Sequence, residues 1–202
     1  MDSRKGILAK LLEQGIRVLF IKECERIGHL KINLIATSIQ IIKGEVQKIN
    51  IFAKDIDYKY LLFDEVELEA TKIKINFNIT TRELKFKNNP IVKFKITFSE
   101  TSLKKILLSK NWNNIGNMIS ETILRNGQLK DIKIRNNQLP LKALGSKNIE
   151  HIFIETENGK VYLVNKKFNK NIQIPIEDKV YIEKVNIKNN LINILANSFI
   201  SF

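Results

Sequence analysis

The side chains that most often carry catalysis or bind metals are scarce in this chain of 202 residues. Its two histidines, His29 and His151, are far apart and do not match a metal-ligand spacing. Its single cysteine, Cys24, falls among apolar residues, which is typical of a buried thiol rather than a nucleophile. The sequence contains no glycine-rich phosphate loop and no Gly-x-Ser-x-Gly motif. It therefore predicts a protein that is not an enzyme and has no catalytic residues, no metal site and no cofactor.

Positive charge is the most prominent chemical feature of the sequence. The formal net charge is +13, and +9 of it falls between Lys85 and Lys142, where 12 Lys and Arg stand against 3 acidic residues. The chain has 28 Lys but only 6 Arg, which argues against base-specific reading of nucleic acid and favours a diffuse anionic surface. The joint abundance of 34 Ile, 28 Lys and 23 Asn is also what an A+T-rich genome would produce, so codon bias stays open as the origin of the charge.

A basic group near one predicted strand-to-helix junction is a candidate for contact with lipid headgroups at an anionic membrane surface. Its alternative is a solvated lysine face. The residues assigned to headgroup or membrane-surface contact are Lys93, Lys95, Lys104, Lys105, Lys110 and Trp112. Trp112 suits either a bilayer interface or the partly buried anchor of a short helix. Glu65, Glu67 and Glu69 alternate with apolar residues, which is more typical of a solvated strand face than of a general acid–base pair.

Hydrophobic periodicity predicts an α+β fold made of one domain, residues 1–202. Residues 4–27 form a long amphipathic helix in this prediction, with Ile7, Val18 and Ile21 widening its apolar stripe and Gly28 ending it. Two short helices interrupt the strands, one capped by Ser99 and one closed by Asn126-Gly127. Period-two patterns predict strands over 30–42, 45–58, 63–78, 91–98, 128–135, 149–157, 160–167, 171–176, 179–188 and 191–200.

In several strands the alternation slips by one residue, which predicts a β-bulge that bends the strand. The predicted bulges lie near Lys54-Asp55, Thr71-Lys72, Lys130-Asp131 and Glu183-Lys184. Four bulges would give a highly curved antiparallel sheet, and the N-terminal helix is the element long enough to fill its trough. The pattern therefore predicts a curved sheet packed around that helix.

This layout resembles the LmeA-like phospholipid-binding family, which is related to the tubular (TULIP-like) lipid-binding superfamily. The similarity is carried by the N-terminal helix, the strands HLKINLIATSIQIIKGEVQKINIFAKDIDY and LLFDEVELEATKIKINF, and the strand-to-helix segment NPIVKFKITFSETSLKKILLS. It covers roughly residues 5–125. The resemblance implies a curved sheet around a helix, an acyl chain between them, and a role in membrane lipid handling.

A groove for an acyl chain needs an apolar wall, and burying each methylene contributes about 0.8 kcal/mol. Ordinary core packing is the alternative role of the same side chains. The predicted wall consists of Ile16, Leu19, Phe20, Phe52, Phe63, Phe77, Phe94, Phe98 and Leu107.

Three functions stay open on this sequence. The first is non-enzymatic binding of a phospholipid or another acyl-chain lipid, with an anionic membrane surface as a further partner. The second is a scaffold or assembly protein that docks a protein partner. The third is a non-specific nucleic-acid binder that uses the basic stretch, without sequence-specific recognition. Since the sequence has no evident signal peptide or transmembrane segment, we expect a cytoplasmic or peripheral membrane location.

Overall fold

The structure is a computed structural model that describes residues 6–78, 83–125 and 127–199. The helices in these ranges are α1 Ile7–Glu23, α2 Ser38–Ile42, α3 Glu100–Leu107 and α4 Asn113–Thr122. The first strands are β1 Arg26–Ile35, β2 Glu45–Tyr58, β3 Leu61–Asn78, β4 Glu83–Phe86, β5 Ile91–Ser99 and β6 Leu129–Ile132. The remaining strands are β7 Leu139–Ala143, β8 Ile149–Glu157, β9 Lys160–Asn165, β10 Lys170–Gln173, β11 Val180–Lys188 and β12 Leu191–Phe199. The predicted α+β content is confirmed.

The described strands form two antiparallel sheets. The first sheet has the order β1-β2-β3-β5-β12-β11, and β4 pairs with the far end of β3. The second sheet has the order β10-β9-β8-β7-β6. Strand β12 pairs with both β5 and β11. The last two strands of the chain therefore join the first sheet, although the strands of the second sheet lie between them and β5 in the sequence.

Helix α1 lies along β1, the edge strand of the first sheet, and hydrogen-bonds to its open backbone. The Glu13 carboxylate accepts a 2.9 Å hydrogen bond from the Leu34 N–H, and the Arg17 guanidinium donates one of 2.8 Å to the Leu30 carbonyl. An unpaired edge strand is prone to pairing with other chains, so these side chains satisfy groups that would otherwise be available for it.

The opposite edge strand, β11, is covered by the hairpin of β8 and β9 from the second sheet. The Ile182 N–H donates to the Gly159 carbonyl at 3.0 Å, and the Val185 N–H donates to Thr156 Oγ1 at 3.2 Å. The Asn158-Gly159 pair forms the tight hairpin turn that is typical of Asn-Gly between two strands, with φ of 49° and 76° at its two residues. This turn therefore joins the two sheets.

The apolar core has two main parts and a smaller junction. One part packs α1 and α2 against the inner face of β1, β2 and β3. The other packs α3 and α4 between the second sheet and the β5–β12 side of the first. Val161, Ile182 and Ala196 form the junction between the sheets. The inner face of the first sheet is thus covered by α1 at one end and by the second sheet at the other.

The predicted highly curved sheet is wrong, because the strands within the described ranges form no strongly curled sheet and do not enclose α1. Two predicted bulges are confirmed as register shifts, between Leu129 and Asp131 and between Ile182 and Lys184. At Asp55 and Lys72 the pairing keeps its register instead. Each of these two residues has positive φ, 52° and 54°, which inverts the alternation without adding a residue. A strand with no extra residue is not bent in the predicted way.

Several element boundaries also differ from the sequence prediction. The N-terminal helix ends at Glu23, and Gly28 belongs to β1, where it faces the Asp55 side chain. The predicted strand over 30–42 is divided, because Thr37 and Gln40 form a capping box that starts α2. Strand β7, which contains Pro140, and strand β4 were not predicted. Residues 4–5, Asn126 and residue 200 of the predicted elements lie outside the described ranges.

Candidate functional site

The predicted headgroup residues do not form one cluster. Lys93 and Lys95 lie on the outer face of the first sheet, and Lys105 lines a separate groove of about 180 Å³. Lys104 forms a 2.6 Å ion pair with Asp131, and the exposed Lys110 follows α3. The side chains of these lysines point in different directions, because two belong to a strand, two to neighbouring positions on a helix and one to the segment after it. Headgroup contact by these lysines stays a prediction.

Trp112 is half-buried at the start of α4 and packs against the second core part. Its indole Nε1 is buried and makes no hydrogen bond within the described residues. This placement corresponds to the alternative reading of Trp112 as the anchor of a short helix.

The outer face of the first sheet carries a ladder of ion pairs on both sides of β3. Glu65 pairs with Lys54 at 3.2 Å and Glu69 with Lys48 at 2.6 Å. On the other side Glu67 accepts a 2.5 Å hydrogen bond from Lys95, which raises the pKa of that lysine. Each of the three glutamates is thus neutralised by one lysine. Across this face runs a groove of about 1170 Å³ that also contains His29, Lys31, Asn33, Phe52 and Lys93.

The predicted acyl-chain wall is distributed over several places. Ile16 is buried in the first core part, with Phe20 and Phe63 packed against it, and Leu19 is exposed. Phe98 and Leu107 belong to the second core part. The ring centroid of Phe98 lies 5.3 Å from that of Phe63. Phe94 packs at the junction between the sheets. Phe52 lies on the outer face beside His29 and Lys54. The Phe77 side chain lies outside the described part. Acyl-chain binding by this set stays a prediction.

Helix α1 has apolar side chains on two opposite sides. Ala9, Leu12 and Ile16 face the first sheet and are buried. Val18 and Ile21 follow Ile7 by 11 and 14 residues, which places them within about 40° of Ile7 around the helix axis and opposite the buried stripe. The expectation that these residues widen the buried stripe is therefore wrong. They form a second stripe that faces solvent, in which the exposed Lys10 and Gln14 lie between Ile7 and Val18.

Helix α2 lies next to α1 and also exposes apolar side chains. Ile41 is its buried residue, whereas Ile39 and Ile42 point outward. The start of α1 meets α2, because a Cβ on Gly6 would lie 2.9 Å from Ser38 Oγ. The exposed fractions of the aliphatic side chains are 79% for Ile7, 63% for Val18, 56% for Ile21, 67% for Ile39 and 75% for Ile42. We call these five residues, together with the exposed Lys10, Lys22 and Lys43, the α1–α2 surface.

Sequence reasoning missed this surface for two reasons. The period-two pattern over 30–42 predicts a strand, which does not indicate that Ile39 and Ile42 are exposed on a short helix. The apolar character of Ile7, Val18 and Ile21 suggests core residues, but the helical angle that separates them from Leu12 indicates the opposite side of the helix.

The residues considered for chemistry have ordinary structural surroundings. Burial, reinforced by Glu25 and Glu23, raises the pKa of the half-buried Cys24 thiol. The His29 ring lies edge-on to Phe52 at 6.2 Å. Within the described ranges there is no group of three His, Cys, Asp or Glu that could hold a metal ion.

Comparison with known proteins identifies no relative: no family model matches the chain, and no curated protein or solved structure matches it significantly. The resemblance to the LmeA-like family stays a prediction from sequence. No helix in the described part of the chain has the length and apolar character needed to cross a bilayer.

Proposed function

We propose that this protein is a non-enzymatic phospholipid-binding protein that attaches to the surface of anionic membranes through the α1–α2 surface. The observation that carries the proposal is the exposure of five aliphatic side chains, each more than half exposed, on the two neighbouring helices α1 and α2. Clustered exposed aliphatic residues mark contact sites for membranes or proteins.

The composition of the surface favours a membrane over a purely apolar partner. Lys10 lies within the α1 stripe, and Lys22 and Lys43 lie at the ends of α1 and α2. A lysine stem can lie along apolar surface while its ammonium group stays at headgroup level. Each such lysine contributes about 1 kcal/mol near an anionic leaflet, and a fully buried aliphatic side chain about 1.5–3 kcal/mol. Together these terms can offset the cost of immobilising the protein on a surface.

The fold presents this surface without rearrangement. The exposed stripe of α1, from Ile7 to Ile21, is about 21 Å long, since a helix rises about 1.5 Å per residue. The buried stripe holds the helix on the first sheet while the exposed stripe contacts lipid. In this arrangement α1 lies in the plane of the membrane interface, as amphipathic helices of peripheral proteins do. Lipid handling by insertion of an acyl chain into the fold is a finer proposal, supported by the family resemblance.

Vesicle flotation tests the proposal. Wild-type protein is expected to float with phosphatidylcholine vesicles that contain phosphatidylglycerol and to float less with phosphatidylcholine alone. The double variant Ile39→Ser/Ile42→Ser is expected to bind at least about tenfold more weakly, because two aliphatic contacts are lost. The matched control is Ile91→Ser/Leu144→Ser, which removes two comparably exposed aliphatic residues elsewhere in the fold.

The outcomes separate the alternatives. Equal flotation of both double variants would contradict the proposal. If Ile39→Ser/Ile42→Ser instead abolishes self-association while leaving vesicle binding intact, the surface docks protein rather than lipid. Mass spectrometry of lipid retained by the purified protein tests the finer proposal of an acyl-chain site.

A further inference from the structure

The second sheet has a cationic concavity on the face that points away from the core. Strands β6, β7 and β8 and the turn between β6 and β7 form it, and its volume is about 330 Å³. Alternate residues of these strands, including Ile132, Leu141 and Ile152, are buried in the core, so the intervening side chains share the outer face. The polar residues that line it are Asp131, Lys133, Arg135, Asn136, Gln138, Lys142 and His151.

Strand pairing fixes the cationic residues of this concavity relative to one another. Arg135 and Gln138 exchange backbone hydrogen bonds of 3.0 and 2.9 Å across a two-residue turn whose residues both have positive φ. The Lys133 N–H donates to the Pro140 carbonyl at 2.9 Å, and Pro140 is the register partner of His151. His151 Nδ1 lies 3.0 Å from Gln138 Oε1, which orients the imidazole ring. The set is thus held by backbone pairing rather than by mobile loops.

The charge balance of the concavity is strongly positive. Lys133, Arg135 and Lys142 have no ion pair with a described residue. The single carboxylate in the lining, that of Asp131, is neutralised by Lys104 at 2.6 Å. Lys133, Arg135 and Lys142 line the same concavity, and its one carboxylate, Asp131, interacts with Lys133 as well as with Lys104. A net positive charge remains, which a bound anion would neutralise.

We propose that this concavity is a binding site for a phosphate monoester group. A guanidinium presents paired donors that match phosphate oxygens, and Lys133 and Lys142 supply point charges beside it. Pro140 and the half-exposed Ile149 provide an apolar wall for the group that carries the phosphate. A volume near 330 Å³ suits a small ligand. The site shares no residue with the α1–α2 surface, so it stands independently of the membrane proposal.

Two sources can supply this chemistry, a soluble phosphorylated molecule and a phosphatidic acid headgroup. Titration of isotope-labelled protein with inorganic phosphate and phenyl phosphate, followed by NMR amide shifts, tests the first. We expect saturable shifts at residues 131–142 and 149–151, with a Kd on the order of 1 mM or tighter at low salt. Flotation with phosphatidylcholine vesicles containing phosphatidic acid, compared with phosphatidylglycerol at equal charge, tests the second.

The variants are chosen so that folding and binding can be separated. Arg135→Ala is expected to weaken phenyl phosphate binding roughly ten- to a hundredfold, and Arg135→Lys to restore part of it. The control is Lys160→Ala, which removes an exposed lysine elsewhere. Loss of phenyl phosphate binding, or of the preference for phosphatidic acid, in Arg135→Ala but not in the control supports the site. The proposal would be overturned if neither phosphate probe gave saturable shifts and the vesicles showed no preference for phosphatidic acid. It would also be overturned if the protein bound long nucleic acid but neither probe, and Arg135→Ala and Lys160→Ala weakened that binding equally.

Discussion

The Glu13 side chain of α1 accepts a 2.9 Å hydrogen bond from the backbone N–H of Leu34, on the open edge of β1. Four residues further along the helix, Arg17 bonds the Leu30 carbonyl. The residues of α1 therefore divide into those that hold the first sheet and those that face solvent. The proposed membrane attachment by the solvent-facing residues requires the holding residues to keep α1 on the sheet.

Removing the edge contact is expected to destabilise the fold. Glu13→Ala leaves the part-buried Leu34 N–H without this acceptor, which costs about 1–3 kcal/mol of unfolding free energy. Glu13→Gln retains a carbonyl acceptor and should lose less. Urea denaturation of the two variants measures the difference. If Glu13→Ala were as stable as wild type, the contact would have no role in holding α1.

The two sides of α1 should respond very differently to truncation. Leu12 is 1% exposed, so Leu12→Ala is expected to cost about 2–5 kcal/mol. Val18→Ala, on the opposite side, should change stability by less than about 0.5 kcal/mol. Thermal and urea unfolding of this pair checks the assignment of the two stripes. A large loss of stability for Val18→Ala would mean that its side chain is covered.

Two glycines with the same φ of 74° give a matched test of a close backbone approach. A Cβ on Gly44 would lie 2.3 Å from the Ile75 carbonyl oxygen, whereas one on Gly145 would meet nothing within 4 Å. Both alanine variants carry the strain of positive φ, about 1 kcal/mol or more. Gly44→Ala should therefore be less stable than Gly145→Ala by a further 1–3 kcal/mol or so, because backbone atoms must move. Equal stabilities would contradict this account of the Lys43-Gly44 turn.

The ion pair between Lys104 and Asp131 should give a small acid-sensitive contribution to stability. The hydrogen bond from Lys104 lowers the pKa of Asp131 below its ordinary value of 3.8. A carboxylate whose pKa is lowered by folding stabilises the protein above its unfolded-state pKa, and this contribution is lost as pH falls through the folded pKa. Both side chains are partly exposed, so the contribution is below about 1 kcal/mol.

Comparison of wild type with Asp131→Asn measures this contribution. The stability difference should be fully present near neutral pH and should decrease as pH falls below 3.8 and through the lowered pKa of Asp131 in the folded protein. A difference that stays constant over this range would show that the charge on Asp131 is not its source.

Local chemistry predicted much of the secondary structure. The Asn158-Gly159 and Asn189-Asn190 turns have positive φ at both residues, as hairpin chemistry requires, and Ser99 caps α3. The shape of the sheet was not predictable in the same way. An alternation slip has two physical causes, an added residue or an inverted residue, and sequence periodicity does not distinguish them. Asp55 and Lys72 are inverted residues, so counting them as bulges overestimated the curvature.

The candidate sites depend on placements that periodicity does not contain. Lys133, Arg135 and Lys142 fall in the basic stretch that sequence identifies. Their placement on one face requires the backbone pairing that continues from β6 and β7, and the sequence analysis did not predict β7. The apolar character of Ile39 and Ile42 was equally visible, yet a period-two interpretation assigned them to a strand. The shared face of the three cations and the exposure of the two isoleucines both depend on how the strands and helices pack, which residue type alone does not determine.

Insertion of α2 into the membrane interface tests the central claim most directly. Ile42→Trp is placed in a Trp112→Phe background, so that the introduced indole is the single tryptophan, and vesicles carry phosphatidylglycerol and brominated acyl chains. The account predicts a blue-shifted emission that bromine quenches, and no quenching for Leu144→Trp in the same background. Unchanged emission of the Ile42→Trp protein, or equal quenching at both positions, would contradict it.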